Sequence, residues 1–314
     1  FIRFIAQEIK NDGVIPHFDR TAIDEVIHEA RRRSNRKGYL TLKLRDMGGL
    51  IRVAGDLARQ EGAALTTRRH VLDAKKTARS IEDQISGQMI KRSREYELAV
   101  VEGTEIGRVN GLAVMGSDAG SVLPIMAAIT PAQGDGGNIN ATGLLKEIAQ
   151  ESIKNVGAIL KRFTGKDIRN IDIHIQFIGT YQGVEGDSAS ITVATAAISA
   201  LGSIPVRQDI AMTGSLSVRG DVLPVGGVTY KIEAAARAGI RKVLIPKANL
   251  GDVLIEEEFV SSIEIIPVEK IDEVLKIALV PDNRELFLDK LKTIAWSTTR
   301  SILGSDIHAP GTVV

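Results

Sequence analysis

Two segments hold the residues best suited to chemistry. Gly183-Val184-Glu185-Gly186-Asp187-Ser188-Ala189-Ser190 leads from an alternating stretch into a run of small residues, and Gly226-Gly227-Val228-Thr229-Tyr230-Lys231-Ile232-Glu233-Ala234-Ala235-Ala236 opens an alanine-rich helix. Ser188 is a hydroxyl that becomes a nucleophile only when a base takes its proton. At the start of a helix, free N–H groups and the positive end of the helix dipole would steady negative charge on an attacked carbonyl. The alternative is that Asp187 or Ser188 merely caps the helix.

The choice of base follows from what is missing. The chain has no cysteine, so a thiolate nucleophile, disulfides and thiolate metal sites are excluded together. The five histidines (His17, His28, His70, His174, His308) are scattered, and no G-x-S-x-G elbow supports a Ser-His-Asp triad. No H-E-x-x-H occurs, and no metal is expected; neither a G-x-x-x-x-G-K-S/T phosphate loop nor a G-x-G-x-x-G turn is present. Lysine remains. Burial pulls a lysine pKa down from about 10.4 by as much as 3–5 units, and neutrality at pH 7 takes roughly 4–5 kcal/mol of desolvation. Such a lysine needs an apolar seat with no carboxylate partner. Lys231 has Ala234, Ala235 and Ala238 on its own helix face, which suits that seat. A solvent-facing lysine is the competing reading.

The elements that must position these residues fall into two units. Up to about residue 95 the pattern is helical: Ile2, Ile5 and Ile9, then Ile23, Val26, Ile27 and Ala30, then Met47, Leu50, Ile51, Ala54 and Leu57, then Val71, Leu72 and Ala78. Thr21 followed by Asp24 reads as a helix start, and Gly13, Pro16, Gly38 and Gly62 sit in the connections. From Tyr96 extended segments (108–116, 121–131) alternate with helices near 143–163, 188–201, 228–239 and 270–279. Ile171-Asp172-Ile173-His174-Ile175-Gln176-Phe177 alternates as a half-buried strand does, and 243–245 and 263–266 read as two more strands. The expected fold class is α+β: a helical unit over 1–95, a mixed α/β unit over 96–295, and a frayed tail over 296–314. Charge follows the same division, with 20 Lys+Arg against 14 Asp+Glu through Glu97 and 20 against 25 in the remainder. A basic first third suits nucleotide phosphates or a nucleic acid, or is a solvated helical surface. No apolar run approaches the roughly 20 residues that span a bilayer. The chain begins at Phe1 and is expected to be part of a longer protein.

Taken together, these segments resemble the proteolytic domain of Lon proteases, specifically the archaeal-type (LonB) branch. The family pairs its serine with a lysine about 43 residues on, in a helix preceded by Gly-Gly, and Ser188 and Lys231 have that separation. Met212-Thr213-Gly214-Ser215-Leu216, the stretch Val218 to Gly227, and Ala238 to Pro246 match its pattern as well. Where the bacterial branch reads G-P-S-A-G, this chain reads Gly186-Asp187-Ser188-Ala189-Ser190, which is the archaeal-type form.

The resemblance implies an ATP-dependent serine endopeptidase that degrades unfolded or regulatory proteins inside a ring-shaped chamber. Ser188 would be the nucleophile and Lys231 its base; Thr213 would orient the lysine; Glu185 and Asp187 would be the acids near the dyad, and His174 a strand-positioning residue. The helical third is similar to the small α-subdomain (lid) of an AAA+ ATPase, and Leu40 to Leu50 resembles its sensor-2 region, with Arg45 the leading nucleotide contact and Arg52 the second. ATP with Mg would belong to the full-length parent, and the peptidase chemistry itself requires no cofactor. A homo-hexamer is implied, with unfolded or tagged protein substrates, a cytoplasm-facing position and membrane anchoring only through parts outside this chain. DNA binding could accompany proteolysis. The alternatives are an ATP-independent Lon-like peptidase and a nucleic-acid-binding module.

Overall fold

The computed structural model describes residues 1–96, 98–116, 118–132, 137–164, 171–179 and 183–280. The expected tail, with His308, lies outside the described residues. Helices α1 (Ile2–Asp12), α2 (Arg20–Ser34), α3 (Leu44–Gln60) and α4 (Arg68–Thr77) come first. Their apolar stripes meet: Ile5, Ile9, Val26, Ala30, Met47, Leu50, Ile51, Ala54, Val71 and Ala74 share one buried cluster. The start of α2 is set by Asp19, not by the expected Thr21. The Asp19 carboxylate accepts from the Ala22 N–H at 2.8 Å, while the Thr21 hydroxyl donates to that same carboxylate. An aspartate two residues upstream supplies the better N-cap, because its carboxylate reaches the orphan donor and complements the dipole. A further helix, α5 (Ile81–Glu95), packs against the sheet and helix described next.

The α/β unit runs β1 (Thr104–Ile106), β2 (Arg108–Met115), β3 (Ala119–Pro131), β4 (Ile139–Thr142), α6 (Glu147–Thr164), β5 (Ile171–Phe177), α7 (Ser190–Gly202), β6 (Pro205–Arg207) and β7 (Ile210–Met212). It continues with β8 (Ser215–Leu216), β9 (Val222–Leu223), α8 (Val228–Ala238), β10 (Lys242–Pro246), α9 (Glu257–Val260), β11 (Glu264–Val268) and α10 (Ile271–Ala278). Seven strands form a mixed sheet in the order β11-β10-β7-β2-β3-β5-β4. The half from β11 to β2 is parallel, β3 runs antiparallel to both β2 and β5, and β4 returns parallel to β5.

Side-chain alternation along the central strands divides the core in two. Val109, Ile210, Met212 and Leu244 face a cluster that includes Ile191, Ala194 and Ile198 of α7. Leu112, Ala211, Val243 and Ile245 face the other cluster, with Ile232, Ala234, Ala235 and Ala238 of α8. Helices α7 and α8 therefore lie on opposite faces of one sheet, as its doubly buried apolar strands require.

Candidate active site

The turn before α7 is shaped by two glycines in the left-handed region, Gly183 (φ 81°) and Gly186 (φ 92°). Backbone bonds from Val184 N to Leu144 O (3.0 Å) and from Lys146 N to Val184 O (2.9 Å) hold its upstream end. Ser188 sits in the turn itself, two residues before the first helical residue, rather than within the helix as expected. The chain tightens there: the Asp187 carbonyl accepts from the Ser190 N–H at 3.0 Å and from its hydroxyl at 2.5 Å. Neither Asp187 nor Ser188 caps α7 through its side chain. The Asp187 carboxylate instead takes the Ser215 hydroxyl at 2.5 Å. Ser188 is half-buried, and among the described residues no acceptor takes its N–H or that of Ala189.

The lysine comes from the other face. Gly227, at φ 69°, turns the chain into α8, and a side chain there would meet Val114 Cγ1 at 2.3 Å. The next turn lies so close to β3 that a Cβ on Gly120 would fall 2.1 Å from the Tyr230 carbonyl oxygen. Thr229 fastens the helix start to the stretch after β10, donating to Asp252 O at 3.2 Å and accepting from Leu254 N at 3.2 Å.

Lys231 is 1 % exposed, and its Nζ donates to Thr213 Oγ1 at 3.0 Å. Thr213 follows β7 directly, its N–H bonded to Leu244 O at 3.1 Å. Its hydroxyl donates to the Ser188 carbonyl at 3.2 Å, and that carbonyl also accepts from Gly214 N at 2.8 Å. Lysine, threonine and the peptide of the serine thus form one chain of hydrogen bonds. Among the described residues none joins the Lys231 amine to the Ser188 hydroxyl directly. Burial lowers the Lys231 pKa to about 8, against a smaller upward pull from the Asp187 carboxylate. An amine with that pKa is about one-tenth free of its proton at pH 7 and about half free at pH 8, whereas an exposed lysine is almost wholly protonated at both.

The other expected residues divide. Asp187 acts on the lysine through space, whereas Glu185 is exposed and accepts from Lys146 Nζ at 2.7 Å. His174 is exposed on β5, its Nε2 2.9 Å from the Thr130 hydroxyl. Arg45 is exposed at the start of α3 and has no ion-pair partner among the described residues, while Arg52 is held by Glu8 at 2.5 Å. Residue types and spacing did not reveal Ser215 as the partner of Asp187. Gly120 left one trace, a glycine at the edge of an apolar strand run, which marks a close backbone approach.

Two family models match the chain. Residues 78–281 match the Lon protease (S16) C-terminal proteolytic domain, and residues 17–79 match the archaeal LonB AAA+ ATPase LID domain. The chain belongs to the Lon protease family. The archaeal Lon protease of Archaeoglobus fulgidus is 58% identical over 279 residues, covering 88% of this chain and 45% of the relative. That of Halobacterium salinarum is 59% identical over 297 residues (94% and 42%), and that of Pyrococcus abyssi is 55% identical over 313 residues (99% and 31%). The chain therefore spans less than half the length of these curated Lon relatives. Its order of a helical lid followed by a mixed α/β unit is the order of the two Lon matches.

Proposed function

We propose that this chain carries the peptidase centre of an ATP-dependent Lon-type serine endopeptidase, with Ser188 as nucleophile and Lys231 as general base. The observation that carries the reading is the dry Lys231 amine, joined through Thr213 to the peptide of Ser188. The neutral amine takes the Ser188 proton as the oxygen attacks a peptide carbonyl, and the lysine returns it to the leaving nitrogen. Water then hydrolyses the acyl-enzyme, with the same amine as base. The N–H groups of Ser188 and Ala189, free of other acceptors among the described residues, are suited to the oxyanion. Thr213 orients the lysine; Asp187 tunes it; Glu185 serves the turn through Lys146.

The wider assignments follow family membership. ATP with Mg belongs to the AAA+ portion and supplies the energy of substrate unfolding. On this chain Arg45, an exposed guanidinium without an acidic partner among the described residues, fits a phosphate contact better than Arg52 does. Substrates would be unfolded or tagged proteins, and the assembly a homo-hexamer facing the cytoplasm. No helix among the described residues is long and apolar enough to cross a membrane. The packing of α5 on β3 and α8 favours a junction between the two units near residue 79 rather than 95.

The test is cleavage of an unfolded protein by the intact enzyme. Ser188→Ala and Lys231→Ala should each lower turnover by at least about 1000-fold while the protein melts cooperatively as before. Undiminished cleavage by either variant ends the proposal.

A further inference from the structure

We propose that Arg32, on the helical lid, is a positioning residue for Lys231: by clamping Glu233 it fixes the rotation of α8 and with it the reach of the lysine amine. The inference rests on the Ser188–Lys231 reading above. Arg32 Nη1 lies 3.0 and 2.9 Å from the two Glu233 oxygens, across 201 residues of sequence. Both side chains are almost wholly buried. Arg32 gives its other edge to Glu29, with Nε and Nη2 bonds of 2.8 and 3.0 Å, so the guanidinium is itself held in place. Lys75 braces Glu29 at 3.2 Å, and Glu256 N–H caps Glu233 at 3.2 Å.

Geometry makes this pair a handle on the lysine. Residues two apart on a helix point to opposite sides, so Glu233 faces the lid while Lys231 faces Thr213. Between them Tyr230 lies under the Arg32 guanidinium, which is 5.2 Å from the ring centre, and the tyrosine hydroxyl is buried with no hydrogen-bond partner among the described residues. The backbone of that same turn rests against Gly120 of β3, whose carbonyl takes the Ser86 hydroxyl of α5. The first turns of α8 are therefore gripped from the sheet and from the lid. Turning a helix of outer radius about 6 Å by about 10° moves a side-chain end by about 1 Å. A displacement of that size costs up to roughly 100-fold in rate.

Arg32 and Glu29 stay ionised, because a bidentate bond and two neighbouring cations outweigh the cost of burial at Glu29. Glu233 receives only one edge nitrogen, and burial raises its pKa to about 7. The clamp is thus fully ionic only above about pH 7, and below it Arg32 still donates to the remaining acceptor oxygen of a protonated carboxyl.

The experiment compares Arg32→Met, Arg32→Lys and Glu233→Gln in the intact protein, following cleavage of a short fluorogenic peptide from about pH 6 to about pH 10. Arg32→Met should lower kcat by about 10-fold or more with KM within about twofold. Its rising pH limb should move to higher pH, because a loosened α8 admits water to the amine and returns it toward its ordinary pKa. Arg32→Lys should recover part of the loss, keeping the charge but not the fork. Glu233→Gln should move the limb the same way by less, and it decides the matter alone if Arg32→Met fails to fold. An unmoved limb overturns the proposal, whether kcat is kept or falls only in step with melting temperature. Ser188→Ala in the same assay separates the two readings. Residual cleavage there removes the dyad, whereas full dependence on Ser188 with an indifferent Arg32→Met removes only the clamp.

Discussion

The burial of a single amine sets an opposition between chemistry and stability at Lys231. Its pKa falls from 10.5 to about 8 on folding, so the folded state holds the proton less tightly than the unfolded chain does. Stability is therefore lower below pH 8 and recovers as pH rises from 8 toward 10.5. At about 1.4 kcal/mol per unit the deficit is on the order of 3 kcal/mol. Lys231→Met fills the same space without a charge to desolvate. It should raise the unfolding free energy at pH 7 by up to about 3 kcal/mol while abolishing cleavage, with the advantage fading by about pH 10. Urea titrations at the two pH values measure this. A methionine variant less stable at pH 7 would mean that the amine is charged and paired in the fold. The burial of Lys231 was legible from the alanines on its helix face, whereas its hydrogen bond through Thr213 to the Ser188 carbonyl joins three segments that only the fold brings together. The partners of Asp187 and Glu185 were not legible either, since Ser215 and Lys146 reach them across folded space.

Element positions were legible where hydrophobic period and burial agree. The alternation over 171–177 became β5 with Ile173, Ile175 and Phe177 buried, and the alanine run became α8. Helix starts were less so: a hydroxyl at Thr21 and a serine at 188 both resembled first-turn residues, and both were displaced by better local geometry nearby. Sheet order was invisible, because β7 pairs with β2 and β10 through contacts that no local pattern encodes. The contact between α8 and β3 yields a prediction at this scale. Gly120→Ala puts a methyl 2.1 Å from the Tyr230 oxygen, and backbone rather than a pliable side chain must give way. The expected cost is about 1–3 kcal/mol of stability together with a loss of kcat, read by thermal melting and peptide cleavage. A variant with reduced stability and full kcat would show that α8 shifts without carrying the amine.

Across the whole molecule, the uneven charge of the two parts has an internal explanation. The first 97 residues carry six more cations than anions and the rest five more anions than cations, which had suggested phosphates or nucleic acid. Part of that imbalance is met inside the chain: Arg32, Arg68 and Lys75 of the lid contact Glu233, Glu256 and Glu257 of the α/β unit. The sign of the asymmetry was readable; its partner was not. Because Glu29 is wholly buried between Arg32, Arg33 and Lys75, Glu29→Gln removes the acid those three cations share, leaving Arg32 and Lys75 with Glu233, Glu25 and Glu256 alone, and should cost about 3 kcal/mol. Asp56→Asn, which breaks an exposed pair with Arg59, should cost less than about 1 kcal/mol. Chemical denaturation of the two variants side by side checks the contrast.

The placement of Glu233 and Lys231 on opposite sides of α8 has a consequence for traffic in the other direction. Coupling between two sites has one free energy and no preferred sender. If the lid contact lowers the proton affinity of the lysine, then gain or loss of that proton must bias the lid contact by the same free energy, so the protonation state of one buried amine would be felt on the far side of α8.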